Sequence, residues 1–386
     1  MESIPQKKEE EINNNKDETV KKEGSEININ KNDKNDKEFT KKEKIKAPKR
    51  KYAIIHGYNG HDFCGNQKNK EVRTVEGVLE TSLFKARYIS ECNYGNLSKI
   101  GWMRASRTDK GVSAVMNVVS CKLHKYPDEL EKDMKEKVNK ILPHDIHIFR
   151  FIEMSEHFDA KENNNHREYH YILPTFMLEP KGDEYKLPYG QTKDTPMEKY
   201  KGNYEFRISP ELHDKVKLIC KSFLGSKKYH NYTKKVAFSE AQSVRHIYEM
   251  TCDEIITYDD KGIEAIKFKI VGQSFLYNQI RKMIGMIIDL CREKKDLSYF
   301  ENSFLSNKME IPKAPAEGLY LRKIDYSKYN DRKLNKKNNI FVTEEDDAEM
   351  EEFCKQLVQE ISQFEEHERA FSKWQWRFDY FREHIY

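Results

Sequence analysis

Two stretches in which polar and apolar residues alternate, Arg245–Tyr258 and Gly262–Val271, flank the turn Asp259-Asp260-Lys261-Gly262. Successive side chains of a strand point to opposite faces, so this pattern predicts two antiparallel strands sharing one apolar face. Such a face has to be covered, and the other periodicities in the chain supply the cover. Val75, Val78, Leu79, Leu83 and Ala86 predict a helix over Thr74–Tyr88. Pro127 is expected at the first position of a second helix, with Leu130, Met134, Val138 and Ile141 on one face up to Pro143. Ser209-Pro210 opens a third, with Val216, Ile219, Cys220 and Phe223 on one face and Gly225 as its stop. Phe275–Cys291 reads as a fourth, strongly apolar helix.

Strands are expected at Lys51–His56, Ile100–Ser106, Ala114–Leu123, Ile146–Ile152, Tyr169–Leu173 and Leu319–Ile324. Those at Ile100–Ser106 and Ala114–Leu123 would flank a tight Asp-Lys-Gly turn. The first half therefore runs β-α-β-β-α-β-β, and the second again mixes helices with antiparallel strands. The fold class expected is α+β, two halves sharing one sheet, with boundaries at 51–176 and 208–326. Residues 177–207 read as an insertion loop, 327–348 as a polar linker and 349–386 as a C-terminal helical extension. In residues 1–50, 14 Lys/Arg and 12 Asp/Glu stand against 9 apolar residues. Such an arm cannot offset its ordering entropy by burial, so it is expected to be disordered.

No run approaches the about 18 apolar residues of a membrane helix, so no membrane partner is expected. The first residues show no apolar leader, and Glu2, Glu9, Glu10 and Glu11 argue against a mitochondrial transit segment. The seven cysteines never lie closer than 28 positions, which excludes a CxxC zinc pattern and suits reduced thiols. His144, His147, His166 and His170 are scattered rather than spaced as metal ligands. The formal net charge of +4 is mild, but Lys41–Lys51 holds seven basic residues against Glu43 alone. Such a cluster fits a nuclear-import signal, a loose RNA-binding tail or a solubilising arm.

Four segments carry chemistry. Arg104-Ala-Ser-Arg107-Thr108-Asp109-Lys110-Gly111 sets one carboxylate among three cations. If ionised there, Asp109 should have a low pKa, suited to a nucleophile or electrostatic stabiliser. An ordinary hairpin turn, in which Asp bonds its own backbone, is the competing reading. In Gly272–Gly285, Arg281 lies beside an apolar helix stripe, where it wants an anion partner or snorkels to the surface. Arg167, Tyr169 and Tyr171 share a strand face, which suits base stacking or a core Tyr pair. Gly225–Lys235 interleaves Lys227, Lys228, Lys234 and Lys235 with Tyr229, Asn231 and Tyr232, as phosphate binding with stacking would require and as a solvated loop also would.

Together and in this order, these segments resemble the tRNA pseudouridine synthase A family, from about Tyr52 to Leu321. GWMRASRTDKGVSA, VGQSFLYNQIRKMIG and KAPAEGLYL look like its eukaryotic branch, which modifies several tRNA positions including the anticodon stem. The resemblance implies a pair of RRM-like halves with a central RNA-binding cleft, an isomerase, and no metal or organic cofactor. It makes Asp109 the essential aspartate, Arg107 the arginine that helps flip the nucleotide, Tyr169 the tyrosine stacked on the uracil, and Arg281 the cation paired with the aspartate. Arg104, Lys110, Arg167, Lys227, Lys228, Tyr229, Asn231 and Gln279 are then expected to bind substrate. The expected partner is tRNA or another structured RNA, met by a monomer or homodimer in the nucleus, with cytoplasm or mitochondrion as further compartments. A non-catalytic RNA-binding protein on the same fold would need no carboxylate in a basic cleft. A glycosidase would need two cooperating carboxylates, and only one is well set.

Overall fold

The alternation becomes one mixed, mainly antiparallel sheet in the computed structural model, which describes residues 47–181, 196–197, 200–257, 262–332 and 339–385. Among the described residues its strands are β1 (Lys49–Tyr58), β2 (Met103–Arg104), β3 (Ser113–His124), β4 (Ile146–Met154), β5 (His166–Pro174), β6 (Gly225–Lys228), β7 (Val244–Thr257), β8 (Glu264–Gly272) and β9 (Leu319–Asp325). Their order is β4-β1-β3-β9-β5-β8-β7-β6, with β2 added on β3. Among the described residues only β3 and β9 run parallel, through Ser113 opposite Tyr320 and Ala114 opposite Leu321. β9, the last strand of the chain, thus enters between β3 and β5. β5, which the sequence reading groups with the first half, pairs with β8 and β9.

The α-helices among the described residues are α1 (Val75–Lys85), α2 (Glu131–Asn139), α3 (Pro210–Ser222), α4 (Gln279–Arg292), α5 (Leu297–Asn302), α6 (Ser327–Asn330), α7 (Glu344–Gln363) and α8 (Ala370–Ile385). Thr74 caps α1 by accepting from the Gly77 N–H at 3.3 Å, and Ser209 caps α3 with Pro210 just inside. Of the apolar stripe read from the sequence, Leu276, Ile280, Met283, Ile284 and Ile287, α4 buries the last four, and Leu276 lies half-buried in the loop before it.

Three local expectations are corrected. α2 begins at Glu131 rather than Pro127: Asp128 takes a positive φ of 62°, and Leu130 precedes the helix, exposed, instead of lying on its buried face. α4 begins at Gln279 rather than Phe275, because Asn278 adopts the left-handed conformation at φ 63° and leaves 273–278 as a loop. β2 ends at Arg104, so 105–112 swings out as a wide loop and not a tight hairpin. The arm up to residue 46, the turn 258–261, most of the insertion (182–195 and 198–199) and the linker residues 333–338 lie outside the described residues.

The C-terminal extension is part of the core. α7 lies on β3 and β4, with Phe353 edge-on to Phe149 at 5.7 Å and Asp346 paired to Arg150 at 2.7 Å. α8 is held by Arg292, the fully buried last residue of α4, which donates to both Asp379 oxygens at 3.2 and 2.7 Å. Removing one member of such a pair strands a buried charge. Asp379→Ala is expected to lose about 3–5 kcal/mol in urea unfolding; a loss under about 1 kcal/mol would mean that α8 is not anchored there.

Candidate active site

A cavity of about 660 Å³ opens where the loop 105–112, β5, the loop 273–278 and the start of α4 meet. Asn66 shapes the first of these. Its side-chain amide donates to the Ser106 carbonyl at 2.8 Å and accepts from the Thr108 N–H at 3.0 Å. The Thr108 hydroxyl bonds Tyr58 at 2.7 Å, and the Ala105 N–H returns the chain to Val118 at 2.8 Å. The Val112 N–H closes a turn onto the Asp109 carbonyl at 3.1 Å, helped by Gly111 at a φ of 78°. Asp109 therefore rides on a braced loop at the cavity wall.

The Asp109 carboxylate is half-buried and makes no side-chain hydrogen bond or ion pair among the described residues. Burial raises its pKa above the ordinary 3.8; Arg281, Lys313, Arg107 and Lys235 pull the other way, in that order. This overturns the expectation of a low pKa. The cations act across the cavity and not in contact, and one of the three in its own segment is spent elsewhere. Arg104 is held by both oxygens of Glu76, a buried residue of α1 that also accepts from the Trp102 indole N–H at 2.9 Å. Arg104 lines the cavity with its charge already paired.

Tyr169 of β5 is buried, with its hydroxyl 2.8 Å from that of Ser106 and its ring edge-on to Phe275 at 5.3 Å. Burial raises its pKa, so the phenol stays neutral. Arg167 braces the two walls, donating to the Ala105 carbonyl at 2.8 Å and the Gln273 carbonyl at 2.9 Å. Arg281 donates to the Ala314 carbonyl at 2.7 Å, and the Ala314 N–H returns a bond to the Arg281 carbonyl at 3.0 Å. One turn along α4, Gly285 lets this strap approach: a Cβ there would fall on the Pro312 carbonyl. Arg107 is exposed at the rim.

The cavity thus gathers Asp109, Arg107, Tyr169, Arg281, Arg104, Arg167 and Gln279. Gln279 spends its carbonyl on the Leu276 N–H at 2.8 Å. Lys110 is exposed and outside the cavity. Lys227 and Lys228 line a different cavity. Tyr229 and Asn231 are buried; Asn231 donates to the Ser303 and Asn307 carbonyls, each at 2.9 Å, which consumes its amide in holding the fold. Sequence reasoning did not single out Glu76, Ser106, Phe275 or Lys313 for the site. Lys235 stood in a quoted segment, and its ammonium lies 4.5 Å over the Tyr277 ring. Lys313 opens the KAPAEGLYL segment, whose likeness to the family gave it no role at the site, and it arrives on the strap ahead of β9.

Residues 219–327 match the family model described as tRNA pseudouridine synthase. The mouse pseudouridylate synthase 1 homolog is 33% identical over 290 residues, 74% of this chain and 63% of the mouse protein. The tRNA pseudouridine synthase 1 of Kluyveromyces lactis is 30% identical over 349 residues, 75% of this chain and 62% of that protein. For its namesake in Saccharomyces cerevisiae the identity is 29% over 347 residues, 74% and 63%. The chain spans less than two thirds of the length of each.

Below the cavity, Lys282 is buried and donates to the Asn231 carbonyl at 2.9 Å. Burial, then Lys234 and Lys313 against Glu310, lower its pKa from 10.5 to about 8. Between those values the unfolded chain binds the extra proton, so this group's contribution to stability rises with pH across the window, by at most about 1.4 kcal/mol per pH unit. In Lys282→Met that part of the slope should vanish; equal slopes from pH 8 to 10.5 in both proteins would show the amine to be unperturbed.

Proposed function

The chain belongs to the tRNA pseudouridine synthase family, and from that membership we propose that it isomerises uridine to pseudouridine in tRNA with Asp109 as the catalytic group. The observation that carries the reading is the half-buried Asp109 carboxylate, unpartnered among the described residues and ringed at a distance by cations. A structural carboxylate in such surroundings would be paired; one kept free is available to a substrate.

The reaction breaks the N1–C1′ bond, turns the uracil and joins C5 to C1′; C5 gives up its proton and N1 gains one, so there is no net redox or hydrolytic step. The nucleotide must first leave its stack, at about a few kcal/mol. Arg107 then fills the gap, a role that its exposure at the rim supports. Asp109 then attacks as a carboxylate or takes a ribose proton. Arg281, its strongest opposing cation, favours the ionised form against the burial that resists it. Tyr169 stacks on the base, and its neutral phenol suits packing better than service as an anionic base.

With the edge strand β6 set aside, the strand order within each half is fourth, first, third, second: β4-β1-β3 with β2, and β9-β5-β8-β7. That order supports an RRM-like reading of both halves. The likeness of 101–114 to the multisite branch supports the anticodon stem among the targets, and the Lys41–Lys51 cluster supports nuclear import.

Wild type and Asp109→Asn are to be incubated with unmodified tRNA transcripts and pseudouridine mapped by position. Wild type should form it, the variant at least about 1,000-fold more slowly with RNA binding retained. Equal activity would remove Asp109 from the mechanism; binding without any product in wild type would favour a non-catalytic RNA-binding protein. Because the folded-state pKa of Asp109 is raised, its charge is a cost once pH exceeds 3.8. Asp109→Asn should therefore gain stability over wild type as pH rises from acid to neutral, in thermal unfolding at matched pH; a constant difference would refute the shift.

A further inference from the structure

A second cavity, of about 560 Å³, lies at the outer edge of the sheet, between β6 and the end of α5. Lys227 and Lys228 line it with Phe238, Phe300 and Phe304; Glu301 is its one carboxylate. The Lys228 ammonium sits 3.7 Å over the Phe238 ring and donates to the Phe238 carbonyl at 3.2 Å. The Lys227 ammonium lies 5.6 Å from the Phe304 ring centre. Neither lysine has an ion-pair partner among the described residues. Two unneutralised ammoniums beside aromatic faces are what a phosphate with an unstacked base requires.

The position matters as much as the composition. The chain runs from this cavity straight to the candidate active site, which Lys235 lines. The segment between is pinned. Asn231 accepts from the Met309 N–H at 2.9 Å and donates to two carbonyls beyond α5, Tyr232 bonds the Ser303 hydroxyl at 2.8 Å, and Lys282 holds the Asn231 carbonyl. Eight peptide steps reach at most about 29 Å, less than one duplex turn of about 34 Å. Lys227 and Lys228 are therefore held at a set separation from Lys235 that one nucleic acid can bridge.

We propose that this second cavity binds a nucleotide of the same RNA whose target uridine occupies the first, within about one helical turn of it, with Lys227 and Lys228 on the phosphate and Phe238 and Phe304 beside the base. The proposal rests on the reading of the protein as an RNA-modifying enzyme. Its test uses the full chain and an unmodified tRNA transcript, with binding measured across salt concentrations for wild type, Lys227→Ala/Lys228→Ala and Lys227→Arg/Lys228→Arg, all checked for unchanged thermal unfolding. The alanine pair should weaken binding roughly tenfold and lower the log–log salt slope by one to two, and the arginine pair should restore both. An unchanged slope and affinity in the alanine pair, with wild type still binding tRNA and forming pseudouridine, would overturn the second site alone. Absence of tRNA binding and of product in wild type would overturn the enzyme reading itself, and this site with it.

Discussion

The short parallel pairing of β3 with β9 is the joint on which the arrangement depends. It sets β9 of the second half against β3 of the first, so that the loops leading into β3 and into β9 arrive side by side. The first carries Asp109 and the second carries the strap whose Ala314 carbonyl holds Arg281. Gly111 marks the contact: it has a φ of 78°, and a Cβ on it would lie 3.3 Å from Ala316. Tyr169 pairs with Leu321 on the other side of β9. One strand thereby brings together a carboxylate, a cation and an aromatic ring from three distant stretches of chain.

Two arginines are paired with buried carboxylates. Glu76 takes Arg104 in bidentate fashion, and Asp379 takes Arg292. Buried charge is tolerated only with such partners. Asp109 has none, and burial lifts its pKa where a salt bridge would have lowered it. Such a carboxylate costs the fold something, and this one faces the cavity, which is where chemistry calls for an unsatisfied group. The C-terminal extension enters the same balance indirectly, since α8 fixes the far end of the helix that bears Arg281 at its start.

What the sequence by itself determined was the local and periodic part. The β7–β8 pair, the Ser209-Pro210 start of α3, the buried stripe of α4 and the last strand are all written in spacing and turn chemistry, which act over a few residues. The identity of Asp109, Arg107, Tyr169 and Arg281 as candidates was also legible, from residue types in motif and from the family resemblance they carry. The tertiary structure decided where those signals stop and what surrounds them. Leu130 is exposed because a positive φ at Asp128 delays α2, and Phe275 lies in a loop because Asn278 turns left-handed before α4. Tyr229 and Asn231 look like ligands in sequence but are consumed by the core. The electrostatics of Asp109 belong wholly to this level. Sequence neighbours suggested cations in contact, yet Arg104 is neutralised by a helix 28 positions away. Lys313 and Lys235 come from the other half, and burial outweighs them all. Periodicity is a property of a few consecutive residues, whereas a charge feels every atom that folding brings near it and every water that folding removes.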